Sequence, residues 1–262
     1  MALKPWHHVH VVNPEWHDSA TWYAQHSPLE RVAWEHPGHQ GYKSEILRSG
    51  PNIVLMMRAQ HADTPETAAI ESLGIAVPDL AETLALFTTG GGTVESRDDR
   101  SAQVTDPWGM RLEFLESAES ESALSHVNIL AQDPQMLSDW YQRHLGGQSR
   151  ACVFDDARIA VVYDTCELLF KQADVATLDQ GAAYRHYDHL GWFVEDIHGT
   201  CDELLAGGVE FPAHASRGRD NPPKPGDGRM IAFATDPCGI WFELVNIVPE
   251  NVHRAKIGRW ED

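Results

Sequence analysis

The sequence predicts an α+β protein built from four repeated units, each consisting of a strand, a helix and about three further strands. The first observation is that histidine-led apolar strands and the helices behind them recur at one spacing. The matched pairs are His8 and His126, Trp22 and Trp140, and His26 and His144. The second observation is that an Asp-Pro-x-Gly turn precedes a glutamate-bearing apolar segment at both 106–113 and 236–243. Self-similarity at a fixed spacing is the signature of repeated supersecondary units.

Two further units start near Leu73 and His189, where similar Leu-Gly segments lead into short amphipathic patterns. We predict helices at 80–89 and 197–206 because each pattern ends at a glycine run, which is typical of a helix C-terminus. Strand-like runs and the Asp-Pro-x-Gly turn follow each helix.

The small, acidic segment 116–122 is typical of a linker between two halves. We therefore expect an N-terminal domain at 1–116, a C-terminal domain at 124–250 and a tail at 251–262. Each domain is expected to pair the two units of its own half. The Pro/Gly-rich segment 217–228 has no counterpart in the first half and is predicted to be an inserted loop.

Composition argues against several classes of partner. A net charge of −19, from 39 acidic and 20 basic residues, disfavours nucleic acid and anionic membrane surfaces, because both attract clustered Lys and Arg. No apolar run approaches the ~20 residues that a membrane helix needs. The four cysteines are well separated, which predicts free thiols and a reducing compartment. We expect a cytoplasmic protein.

A carboxylate inside an apolar strand is the strongest pointer to chemistry. Glu243 lies in such a run, where an ionised group is costly unless a cation lies beside it. His126 and His189 each open a short apolar strand and can supply imidazole ligands. Two imidazoles and one carboxylate with open coordination positions suit Fe(II) and similar divalent ions. We therefore predict a metal site formed by His126, His189 and Glu243.

The four βαβββ units, the histidine at the head of the first strand and the Asp-Pro-x-Gly turn before a glutamate strand resemble the vicinal oxygen chelate superfamily. This superfamily includes glyoxalase I, bleomycin and fosfomycin resistance proteins and type I extradiol dioxygenases. The resemblance extends to about Val248 and implies two cup-shaped mixed-sheet domains with the metal inside. In the first half, Ser72 replaces the second histidine, so His8 and Glu113 are expected to form a pseudo-copy without a metal. That layout is similar to two-domain extradiol dioxygenases.

Two features leave the chemistry open. Glu167 could be a fourth ligand and would favour proton-transfer chemistry, although the strand register places Leu169 at the ligand position. Extradiol dioxygenases carry a tyrosine three residues before Asp-Pro, where this chain has Phe233. Candidates for the missing acid–base group are His186, Tyr187, His214 and His253.

Strand alternation predicts an apolar, aromatic wall beside the metal, which suits a small aromatic or enol substrate. The two arginines of the inserted loop either clamp an anionic group on that substrate or belong to a solvated loop. The candidate pocket residues are Asn128, Phe193, Phe233, Trp241, Arg217 and Arg219.

The resemblance implies three alternative functions. The first is an Fe(II)-dependent extradiol-type dioxygenase acting on a catechol-like small molecule with O2. The second is a glyoxalase-like isomerase, lyase or epimerase that acts through an enediolate. The third is a drug-binding resistance protein. We expect Fe(II), with Mn(II), Zn(II) or Ni(II) as alternatives, a small-molecule substrate and a homo-oligomer.

Overall fold

A computed structural model describes residues 3–32, 44–50, 52–58, 69–118, 123–152, 157–174, 186–212, 221–222 and 231–246. The tail at 251–262 and most of the predicted inserted loop lie outside these ranges. Within the described ranges, no helix combines the length and the apolar character needed to cross a membrane.

The described chain contains fifteen strands and four helices. The strands of the first half are β1 (Trp6–Asn13), β2 (Glu30–Val32), β3 (Ser44–Ser49), β4 (Asn52–Arg58), β5 (Ile70–Val77), β6 (Thr93–Arg97), β7 (Ser101–Thr105) and β8 (Arg111–Glu116). Those of the second half are β9 (Ala123–Ala131), β10 (Gln148–Ala151), β11 (Arg158–Val162), β12 (Glu167–Gln172), β13 (Tyr187–Phe193), β14 (Ile231–Thr235) and β15 (Trp241–Val245). The helices are α1 (Trp16–His26), α2 (Leu80–Thr89), α3 (Pro134–Leu145) and α4 (Ile197–Ala206).

The strands form two mixed sheets. The seven-stranded sheet has the order β14-β15-β13-β1-β4-β3-β2, and the eight-stranded sheet has the order β10-β11-β12-β9-β5-β8-β7-β6. Each sheet has an antiparallel pair at its centre, β1 with β13 in one and β5 with β9 in the other. Helices α2 and α4 have the predicted bounds. The predicted α+β class is confirmed.

The pairing of the units differs from the expectation for domains 1–116 and 124–250. The first unit joins the fourth in the seven-stranded sheet, and the second joins the third in the eight-stranded sheet. The short segment between β8 and β9 offers a physical reason, because it brings the third unit beside the second, where β9 runs antiparallel to β5. The first and fourth units are then left to pair with each other.

The two units of each half do meet, but through a helix and a turn. In the first half, the Tyr23 hydroxyl of α1 donates to Asp106 of the Asp-Pro-x-Gly turn over 2.6 Å. In the second half, the Tyr141 hydroxyl of α3 donates to Asp236 over 3.0 Å. The repeated turns therefore tie one sheet to the other, with a buried tyrosine at each junction.

One face of each sheet packs against the helices, and the opposite face carries the polar residues of the predicted sites. Tyr23, Phe87 and Tyr141 of the helices belong to the same buried apolar cluster as Val9 and Phe242 of the strands. Residues adjacent to these strand positions point to the other face, because side chains alternate along a strand. On that other face lie the histidines and glutamates of the predicted sites.

Candidate metal centre

Three neighbouring strands at the centre of the seven-stranded sheet bring two histidines and a glutamate together. His8 lies on β1 opposite Gly191 of β13, and Gly191 in turn lies opposite Glu243 of β15. His189 is two residues before Gly191 on the same face of β13. The register of three strands therefore places His8, His189 and Glu243, here called the triad, around one point.

A glycine at position 191 is required by this approach. A Cβ atom there would lie 2.3 Å from both Cε1 and Nδ1 of the His8 ring. Real side chains never come so close, so any larger residue would push the imidazole away. Because Gly191 has no side chain, the His8 ring can extend over β13 and reach Glu243.

The triad atoms form a nearly equilateral triangle. The distance from His8 Nε2 to His189 Nε2 is 3.2 Å, and those from Glu243 Oε2 to the two imidazole nitrogens are 3.2 Å and 3.3 Å. Bonds of about 2.0–2.2 Å from one ion could reach all three atoms, which would then be mutually adjacent ligands. Both histidines are almost fully buried and Glu243 is 8% exposed. The donor set and its spacing fit a divalent cation.

The protonation of the triad also indicates a cation site. Burial opposes a charge on His189, but hydrogen bonds to Asp188 and Glu243 outweigh it and raise its pKa to about 9. Burial also opposes the Glu243 charge, yet hydrogen bonds from His189 and His8 hold the pKa of this carboxyl well below its usual range. Burial lowers the pKa of His8 to about 4. The metal-free triad thus holds one positive charge on His189, which a divalent ion would replace.

In both triad histidines the second ring nitrogen, Nδ1, also has a partner. His189 Nδ1 lies 2.6 Å from Asp188 Oδ2, and because an ionised carboxylate can only accept, Nδ1 carries the proton. His8 Nδ1 lies 2.7 Å from Nδ1 of the buried His7. Such partners fix the ring orientation and raise the basicity of a metal-binding histidine.

A third histidine borders the triad. The His10 ring is 4.3 Å from the His189 ring, and its Nδ1 lies 3.5 Å from Asp188 Oδ2. Its Nε2 is buried and has no hydrogen-bond partner among the described residues. The His10 ring therefore packs against the Nδ1 side of His189.

Comparison with known proteins shows a family resemblance in the C-terminal part of the chain. Residues 123–244 match the sequence model of the Glyoxalase/Bleomycin resistance protein/Dioxygenase superfamily. The match covers slightly less than half of the chain. A 73-residue stretch is 39% identical to glyoxalase I of Saccharomyces cerevisiae, and it covers 28% of this chain but only 20% of that relative.

Solved structures of similar fold span nearly the whole chain. Glyoxalase I from Zea mays has a TM-score of 0.71 at 16% identity and covers 97% of each chain. A Bacillus subtilis protein proposed to be a dioxygenase has a TM-score of 0.63 at 13% identity, over 94% of this chain and 86% of that one. These TM-scores show that the chain has the glyoxalase-like fold. At identities this low, the similarity does not indicate which reaction the protein catalyses.

Within the superfamily frame, the predicted ligand set needs one correction. His189 and Glu243 meet as predicted, but the third member is His8, and His126 lies in the other sheet. His8 was expected to form a pseudo-copy with Glu113, but the structure groups it with His189 and Glu243 instead. The error follows from the unit pairing, because β1 and not β9 lies beside β13.

His126 belongs to what we call the second cluster: Ser72, Glu113, His126, Asn128 and Arg158. Glu113 Oε2 is 3.2 Å from His126 Nε2 and accepts from Asn128 Nδ2 at 2.8 Å and from Arg158 Nη1 at 3.3 Å. Asn128 also donates to Ser72 Oγ at 2.9 Å. Asn128, predicted as a pocket residue of the metal site, is thus a member of this separate hydrogen-bonded group.

Two aromatic pocket predictions do lie at the triad. Phe233 of β14 lies opposite Glu243, and its ring is 5.2 Å from the His189 ring. Trp241 lies opposite His189 on β15, 6.1 Å from the Phe233 ring. Phe193, farther along β13, instead borders a cavity with Lys4 and Thr200 that contains no triad residue.

The remaining candidates are placed elsewhere or are not described. Tyr187 is part of the apolar core, and its hydroxyl donates to the Arg111 carbonyl, so it does not face the triad. His186 lies in the turn before β13, with its ring beside Gly109 of the other sheet. Glu167 is on the eight-stranded sheet and pairs with Arg150. His214, Arg217, Arg219 and His253 lie outside the described residues.

Sequence reasoning missed His8, His10 and Asp188 as parts of one site. A signal for His8 was present, because its segment repeats that of His126 and the two histidines are equivalent in the repeat. No local feature showed which of the two lies beside β13.

Proposed function

We propose that this protein is a metal-dependent dioxygenase of the extradiol type that acts on a catechol-like small molecule. The observation that carries this proposal is the triad of two histidines and one carboxylate, with its three ligand atoms 3.2–3.3 Å apart. A facial set of this composition leaves adjacent coordination positions open and is typical of non-haem Fe(II) oxygenases. A bound divalent ion would favour ionisation of a substrate hydroxyl and offer neighbouring positions to substrate and O2.

The protein's own residues have defined parts in this proposal. Asp188 holds the His189 ring and keeps its Nε2 free of a proton once the ion binds. Phe233 and Trp241 provide an aromatic wall beside the triad, against which a flat ring packs and from which water is excluded. His10 Nε2, which is buried and has no hydrogen-bond partner among the described residues, would hydrogen-bond a substrate oxygen.

The place of Glu167 supports oxygen chemistry over proton-transfer chemistry. A fourth carboxylate ligand would have favoured an isomerase, but Glu167 pairs with Arg150 on the other sheet. Among the described residues, no other His, Cys, Asp or Glu joins His8, His189 and Glu243 in the candidate ligand group.

A glyoxalase-like isomerase or lyase is the second candidate. The stretch that is 39% identical to yeast glyoxalase I favours it. In that case the same triad would stabilise an enediolate next to a substrate carbonyl.

One experiment separates the two candidates. Protein purified without air is analysed for its metal and then mixed with a panel of catechols in an oxygen electrode. Iron together with metal-dependent oxygen uptake supports the dioxygenase. Another divalent metal, no oxygen uptake and exchange of solvent deuterium into an α-hydroxycarbonyl compound would support the isomerase instead.

A further inference from the structure

An arginine lies on the triad's face of the seven-stranded sheet, two strands away from His8. Arg48 of β3 pairs with Ile53 of β4, and Ile53 pairs with His8. The neighbouring pair Leu47 and Val54 belongs to the apolar core, so Arg48 projects to the opposite face, where the triad lies. Strands lie about 4.8 Å apart, which puts the Arg48 backbone roughly 10 Å from that of His8.

The guanidinium group of Arg48 is only partly used by the protein. Its Nη2 donates to Glu30 Oε2 at 2.8 Å, and the Glu30 side chain is 69% exposed. The Nε of Arg48 is buried and has no hydrogen-bond partner among the described residues. A buried donor without an acceptor is costly, so a ligand that brings an acceptor to Nε would be stabilised.

The two sides of this face differ in chemistry. Beyond β13, Phe233 and Trp241 form the aromatic wall, whereas beyond β4 Arg48 lies on the same face of the sheet. The triad lies between these sides. A ligand that fills the face would place chelating oxygens at the triad, a flat ring along the aromatic wall and an anionic group toward β3.

We propose that Arg48 selects a substrate that carries a carboxylate on a side chain, and that its guanidinium binds this carboxylate. A carboxylate is favoured because an arginine donates charge-assisted hydrogen bonds to it from a planar edge. The proposal rests on the proposed function in one respect, namely that the substrate chelates a metal at the triad. It adds the substrate class: a catechol with a carboxylate-bearing substituent.

The test uses a matched pair of ligands, 3-(3,4-dihydroxyphenyl)propanoate and 4-ethylcatechol, which differ in the carboxylate. Each is titrated by calorimetry into the Fe(II)-loaded protein without oxygen, so that binding is measured without turnover. The wild type is expected to bind the carboxylate ligand at least tenfold more tightly, since only that ligand accepts charge-assisted hydrogen bonds from the guanidinium. Arg48→Met is expected to abolish this preference and leave 4-ethylcatechol binding unchanged. Arg48→Lys is expected to retain part of the preference.

Glu30→Gln is the matched control, because it removes the partner of Arg48 while keeping the guanidinium. Its affinity for the carboxylate ligand is expected to stay equal or to rise. Metal content and melting temperature of each variant show that the fold and the triad are intact. No preference in the wild type, or equal weakening of both ligands by Arg48→Met, would overturn the role of Arg48. Failure of both ligands to bind in a metal-dependent way would instead overturn the proposed function, and the Arg48 proposal with it.

Discussion

The triad and the second cluster occupy equivalent places in the two sheets, yet of these two groups of described residues only the triad brings three candidate metal-ligand atoms together. The matched positions are His8 and His126, Gly191 and Gly74, Glu243 and Glu113, and His189 and Ser72. In each sheet the first histidine lies over a glycine whose Cβ would collide with the ring. The two sites differ in the fourth pair, at His10 and its counterpart Asn128, and in the positive group that lies beside the glutamate.

In the second cluster, the positive charge beside the glutamate belongs to an arginine side chain. Arg158 donates to Glu113 and to Asn128, at 3.3 Å and 2.7 Å, so the glutamate is balanced by a charge that is part of the chain. Burial opposes the Glu113 charge, but the hydrogen bond from His126 and the charges of His126 and Arg158 outweigh it and lower its pKa to about 2. The same arrangement of strands therefore holds either a group of candidate metal ligands, when a second histidine is present, or an ion-paired cluster, when an arginine is present.

The largest expected effect comes from removing a triad histidine. His8→Ala and His189→Ala should each reduce bound metal from about one ion per chain to nearly none, because two remaining ligands bind weakly. His126→Ala is the matched variant in the second cluster and should leave metal content unchanged. The measurement is elemental analysis after anaerobic purification. Loss of metal from His126→Ala, with retention in His8→Ala, would reverse the assignment of the two sites.

A smaller but more specific effect is expected at the paired glycines. Gly191→Ala should weaken metal binding by roughly 10- to 100-fold, because the new Cβ displaces the His8 ring. Gly74→Ala makes the equivalent collision with His126 and should lower only the melting temperature. Competition with a coloured chelator measures the affinity. Equal metal affinities in the two variants would show that the His8 ring position is unimportant for binding.

Metal binding should depend on pH through His189. Its pKa is about 9 in the metal-free protein, so at neutral pH an ion must displace its proton. The apparent association constant should rise by up to tenfold per pH unit and level off above about pH 9. Calorimetry in buffers of different ionisation enthalpy should detect release of about one proton at pH 7. Proton-independent binding would contradict the charge state assigned to the triad.

The second cluster should respond to acid and not to metal. Because the folded-state pKa of Glu113 is depressed from 4.5 to about 2, its contribution to the free energy of unfolding is present above pH 4.5 and is lost as the pH falls toward 2. That contribution is at most about 3 kcal/mol. Glu113→Gln should therefore be less stable than wild type at pH 6, with the difference shrinking near pH 2. Chemical unfolding at both pH values measures it, and a constant difference would contradict the assignment.

Local sequence was sufficient for much of this fold. The helix bounds at Leu80–Thr89 and Ile197–Ala206 follow from apolar spacing and glycine stops, and Asp79 and Asp196 cap these helices by accepting from the backbone N–H three residues on. Glu243 was identifiable because a carboxylate in an apolar strand needs a partner. Such features depend on residues that are near one another in the chain.

Which histidine completes the triad could not be predicted in the same way. His8 and His126 open nearly equivalent segments, and only the pairing of β1 with β13 decides between them. That pairing joins residues far apart in sequence, and four similar units offer several ways to close a sheet. Arg48 was missed for the same reason, because its place relative to the triad depends on the register of three strands.

The most direct test of the central claim is a crystal structure of the metal-loaded protein with anomalous data collected at the metal absorption edge. The claim predicts one peak per chain, bonded to His8, His189 and Glu243, with Arg158 still beside Glu113 and no peak at His126. A peak coordinated by His126, or a peak from which His8 is absent, would contradict it.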